Sequence, residues 1–148
     1  MHISSNSMMM RIGLGKSIGF LFGLATAVSV SWNWSDAPSS FLWGLVLWYP
    51  TLGAFIGIFG VYDNHPVLQL PLPWWIRGPL IGAWGNLVAS LLAYDQLLGF
   101  AHSFFGKGHL FSNPLWFAVD GLIFGMFVGY MATRYGGEGP ATLAENQA

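Results

Sequence analysis

Asp120 is the residue of this chain best placed to do chemistry. It is the one charged side chain in the otherwise apolar run from Leu115 to Ala132; a carboxylate at the centre of a membrane helix is disfavoured by about 2.5 kcal/mol or more, a cost lessened here by a depth of about a turn and a half from the end. A residue carrying that cost has a task. Either it takes up a proton or a cation, or it accepts hydrogen bonds from a neighbouring helix and holds a bundle together. Asn86 lies in a second apolar run and Thr51 in a third, and these two could supply further oxygens beside Asp120. Asp95, His102 and His109 form another set, spaced seven apart. On one continuous helix they would share a face, and imidazole with carboxylate binds divalent metals. Gly106 and Gly108 interrupt that helix, so these are read as ordinary loop side chains and no metal site is assigned. His2 and His65 have no evident partner.

No nucleophile and base pair, HExxH-type ligand pair or phosphate loop is present. The run RIGLGKS at residues 11–17 places glycines before a lysine and a serine, but no strand precedes it and the spacing is wrong. The absence of cysteine removes disulfides, thiolate metal sites and cysteine nucleophiles. The expectation is therefore a protein with no catalytic residues, not an enzyme. A net charge of −1 argues against nucleic acid as a partner.

The elements that must position Asp120 follow from composition. Of 148 residues, 54% are hydrophobic and only 7% charged, against about 25% charged in a soluble domain. The chain reads as all-α, a single integral membrane domain of four transmembrane helices in a compact bundle, with spans at about 17–32, 41–62, 76–94 and 115–132. The first of these could pass for a signal peptide ending at Ala25-Thr26-Ala27. It is read as a retained helix because Gly15, Gly19 and Gly23 make a fourfold stripe, a helix-packing device that a discarded leader does not need. Gly53 and Gly57 in the second span, Gly82 in the third and Gly121, Gly125 and Gly129 in the fourth continue the pattern. Asp120 lies about 100° from that last stripe, aimed at a different neighbour.

Pro50 removes the hydrogen bond to the carbonyl of Val46 and predicts a kink. The proline-rich segment 63–75 is expected along the interface, anchored by Trp74 and Trp75. Residues 97–105 read as a short amphipathic helix or an extension of the third span, and residues 136–148 as a flexible tail. Gly-Ala-Phe-Ile-Gly at 53–57 resembles Gly-Met-Phe-Val-Gly at 125–129, a weak internal repeat. Four spans put Arg11, Lys16, Arg77 and Arg134 on one side and Lys107 on the other, which assigns both termini to the cytoplasm.

These features predict a small accessory or assembly subunit of a bacterial cytoplasmic (inner) membrane. It would pack against a larger membrane protein or a second copy through glycine-lined and aromatic helix faces. The sequence requires no cofactor, and a bound lipid or hydrophobic pigment is compatible with the aromatic faces. The rival reading is a small oligomeric ion- or proton-coupled transporter or channel using Asp120 and Asn86. Polar groups inside the spans are too few to line an obvious path, which favours the accessory role.

Overall fold

Helix formation begins at Ser7, whose hydroxyl accepts the backbone N–H of Met10 at 3.3 Å and satisfies one orphan donor of the first turn. The computed structural model describes residues 7–65 and 67–147, so His2, Pro66 and Ala148 lie outside the described residues. It is all-α: α1 (Met8–Asn33), α2 (Ser39–Phe59), α3 (Trp74–Leu92), α4 (Tyr94–Phe105) and α5 (Phe117–Gly136), with single-turn 3-10 segments at Leu110–Ser112 and Pro114–Trp116 and a longer one at Pro140–Gln147. Three helices are long and apolar enough to cross a membrane: α1, α2, and α5 together with the turn that leads into it, Pro114–Gly136. The first helix starts nine residues before the expected 17, because Ser7 supplies a cap and nothing between Met8 and Lys16 interrupts the helix.

The glycine stripes pair α1 with α2 and α3 with α5. A methyl group built on Gly15 would overlap the carbonyl of Gly53, one on Gly19 the carbonyl of Tyr49, and one on Gly23 the carbonyl of Leu45. Each four-residue step up α1 is a four-residue step down α2, which is an antiparallel pair at backbone contact. The second pair repeats this: Gly78 meets Gly125, Gly82 meets Gly121, and Asn86 reaches Phe117. The two similar pentapeptides occupy equivalent places, Gly53 against Gly15 and Gly125 against Gly78. The stripes are thus consumed inside the chain. Pro50 does not end α2, which runs on to Phe59, and α3 likewise contains Pro79.

The hairpins meet through an aromatic cluster from α1, α2 and α5. Ring centroids of Phe22 and Tyr49 are 4.8 Å apart, of Tyr49 and Phe124 5.0 Å, and of Phe22 and Phe124 5.1 Å, with tilted and edge-to-face geometry that suits the ring quadrupoles. Val30, Ile56, Leu52 and Val128 complete the buried core.

At the end of the bundle carrying Ser7 and Gly136, two arginines are buried. Arg11 is 1% exposed and Arg77 5%. Arg11 donates through Nε to the carbonyl of Gly57 at 3.0 Å and through Nη1 to that of Gly137. Arg77 donates through Nη1 to the carbonyls of Tyr62 and, at 2.7 Å, Leu72, and pairs through Nη2 with Glu138 at 2.6 Å. The physical reason is the orphan carbonyls at the C-terminal ends of α2 and α5, which a five-donor guanidinium can satisfy from inside the protein. The start of the expected flexible tail is accordingly tied down: Gly137 and Glu138 hold the arginines, and Gly139 N–H donates to Gly60 O at 3.0 Å.

The segment after α2 folds back on itself. Asn64 bridges Pro71, His65 N–H donates to Leu70 O at 2.8 Å, and His65 Nδ1 accepts the N–H groups of Val67 and Leu68. Trp74 packs against Tyr130 with the rings tilted and 5.4 Å between centroids, while Trp75 is exposed.

Candidate functional site at Asp120

Asp120 enters in the first turn of α5, which continues from the 3-10 turn Pro114–Trp116. Its Oδ2 accepts two donors, Tyr49 Oη at 2.5 Å and Asn86 Nδ2 at 3.2 Å. Asn86 also donates to the carbonyl of Phe117 at 3.1 Å, and its Oδ1 accepts Trp48 Nε1 at 2.8 Å. Tyr49 and Asn86 are fully buried. Four side chains from α2, α3 and α5 therefore form one connected network, in which every polar atom of Asn86 has a partner. In a low-dielectric interior such a network is rigid when complete and costly when broken.

Helix register explains the arrangement. Asp120 is one position before Gly121, so the stripe facing α3 leaves the carboxylate turned toward α2, as the helical wheel implies. Asn86 shares the α3 face of Gly82 and Ser90, where backbone contact with α5 brings its amide to Phe117. Thr51 does not join them: its hydroxyl donates to Leu47 O at 2.8 Å on an exposed face of α2. Tyr49 and Trp48 are the members that sequence reasoning passes over. The one signal is that Tyr49 precedes Gly53 and Gly57 by four and eight residues and so shares the packed face of α2.

Beside the network lies a groove of about 520 Å³ between α1, α4 and α5, lined by Thr26, Tyr49, Phe100, Ala101, Phe117 and Asp120 among others. Its walls are mostly apolar. The helix α4 that closes one side is separate from α3, with the break at Ala93, so the amphipathic-helix alternative describes it. Asp95, His102 and His109 are not brought together. Gly106, at φ 85°, ends α4 before His109, whose ring stacks on Phe105 at 5.9 Å and accepts Phe111 N–H. Among the described residues no group of three His, Cys, Asp or Glu side chains gathers in a way that could hold a metal ion.

Comparison with known protein families, with curated proteins and with solved structures finds no match for this chain.

Proposed function

We propose that this chain is a four-span integral membrane subunit of a cytoplasmic membrane, acting as an accessory or assembly module for a larger membrane protein. On this reading α3 is the fourth span. Its 19 residues run antiparallel to α5 in backbone contact, a pairing suited to hydrocarbon, where helices associate by close packing. Both termini face the cytoplasm, which puts the buried Arg11 and Arg77 with Lys16 and Arg134 on the positive side.

The observation that carries the accessory role is the closure of the polar interior. The buried donors Trp48, Tyr49 and Asn86 are all satisfied within the Asp120 network, the arginines are satisfied by helix ends, and between these two levels the helices meet in backbone contact with no polar step, the second oxygen of Asp120 opening sideways on a groove rather than along a path. Conduction of ions or hydrophilic solutes needs a series of polar groups along a path. What remains for function is the outer surface, rich in exposed rings such as Trp43, Trp84, Phe55 and Phe127. Because the glycines are used internally, these aromatic faces are the ones offered to a partner.

The test is extraction of native membranes into lipid nanodiscs, purification through a tag after Ala148, and mass spectrometry of what accompanies the protein. Stoichiometric recovery with one larger membrane protein supports the reading. Recovery of a homogeneous oligomer with nothing attached contradicts it and turns attention to transport.

A further inference from the structure

The groove beside Asp120 carries an inference independent of any accessory role. Oδ2 of Asp120 is saturated by Tyr49 and Asn86, whereas Oδ1 has no hydrogen-bond partner among the described residues and is not buried. It belongs to a residue lining the groove. No lysine, arginine or histidine lines that groove among the described residues, so the carboxylate's charge has no cationic counterpart inside the protein. Around it stand the rings of Tyr49, Phe117, Phe100, Phe105 and Trp116.

A single anionic side chain in a largely apolar, aromatic cleft whose other polar side chains, Thr26, Ser29, Tyr49 and Asn113, are neutral is complementary to a positive charge buried in an apolar body. The carboxylate supplies the counter-charge in a low-dielectric setting, where Coulomb attraction is strong, and ring faces add cation–π attraction. Among the described residues no second carboxylate, histidine or cysteine lines the groove, so a divalent metal ion would find one charged ligand there where its sites gather several. A neutral lipid tail would leave the carboxylate oxygen unmatched. We propose that the groove between α1, α4 and α5 is a binding site for a lipophilic organic cation, with the charge held at Asp120 Oδ1 and the apolar body lying against the α4 and α5 rings.

The probe is tritiated tetraphenylphosphonium, measured by scintillation proximity on the full-length protein in phosphatidylcholine nanodiscs, with empty nanodiscs subtracted. Tetraphenylborate, of matching shape and opposite charge, is measured in parallel by equilibrium dialysis. Two variants separate charge from space: Asp120→Asn removes the anion while keeping acceptor and size, and Ala25→Trp fills the groove from the exposed face of α1 without touching the Asp120 network. The expected result is saturable binding of tetraphenylphosphonium, weakened at least about tenfold by each variant, and no saturable binding of tetraphenylborate. Should Asp120→Asn fail to fold, Ala25→Trp and the tetraphenylborate comparison still decide. The proposal is overturned by an absence of saturable binding above empty nanodiscs, by affinity unchanged in Ala25→Trp, or by equal binding of the two probes.

Discussion

Replacing Gly19 by alanine adds one methyl group where α1 crosses α2. A Cβ at that position would lie 2.5 Å from the carbonyl carbon of Tyr49 and 2.7 Å from Cα of Pro50. Ordinary van der Waals contact begins near 3.4 Å, so the shortfall against the carbonyl carbon is about 0.9 Å, and the carbonyl oxygen of Tyr49 is closer still. All three obstructing atoms are backbone, and one belongs to a proline ring, so no rotamer change relieves the overlap. The helices must part instead. A gap of about 0.5–1 Å forfeits roughly a quarter to a half of each atom pair's attraction, and the Gly15–Gly53 and Gly23–Leu45 contacts open with it. Overpacking of this kind costs about 1–3 kcal/mol, and the gain in helix propensity from glycine to alanine returns up to about 1 kcal/mol. With backbone as the obstacle the cost sits at the upper end, leaving a net destabilisation of about 2 kcal/mol. Gly44 is the internal control, on α2 of the same hairpin, where a Cβ meets nothing within 4 Å. Gly44→Ala is expected to be neutral or slightly stabilising. Unfolding by increasing sodium dodecyl sulfate fraction in mixed micelles, followed by tryptophan fluorescence, measures both. Equal stability of Gly19→Ala and Gly44→Ala would refute the backbone-contact argument.

Three further outcomes are expected. Asn86→Leu strips donors from Asp120 and Phe117 O and the acceptor from Trp48 Nε1, and should destabilise by about 2–4 kcal/mol in the same unfolding assay; a loss under half a kilocalorie would contradict it. Arg77→Met leaves the carbonyls of Tyr62 and Leu72 and the Glu138 carboxylate without their donor, and is expected to cost about 3 kcal/mol or prevent folding. Glu138→Gln should cost about 1 kcal/mol or less, because Glu138 is 29% exposed and the pair is screened; comparable losses for the two would show that the arginine's carbonyl contacts contribute little. A phosphatase fusion after Ala148 should be inactive and a fluorescent-protein fusion active, and the reverse would overturn the cytoplasmic placement of the termini.

The helices and the inward aim of Asp120 were legible because they rest on period and composition alone. Gly121, Gly125 and Gly129 share a face whatever the partner, and Asp120 then has to face elsewhere. Which stripe meets which is a pairing question, and four similar stripes leave it open until the chain is folded. The burial of the arginines is hidden for a related reason. Arg11 and Arg77 precede apolar runs as membrane-flanking charges do, and only the return of two helix C-termini to the same end of the bundle supplies the carbonyls that bury them. Tyr49 looked like one more aromatic in a chain with 17% of them. Its role depends on Asp120, 71 residues away. The hairpin built by His65 Nδ1 and the anchored residues after Gly136 likewise depend on groups that composition does not register.

The central structural claim is that the two glycine hairpins are joined by the carboxylate of Asp120 and the hydroxyl of Tyr49. A double-mutant cycle with Tyr49→Phe, Asp120→Ala and the combined variant, in which each single change removes one partner of the hydrogen bond, isolates that bond from the packing around it when each is followed by detergent-induced unfolding. The account predicts a coupling energy of about 1–3 kcal/mol between the two positions. Additive effects, with a coupling indistinguishable from zero, would contradict it.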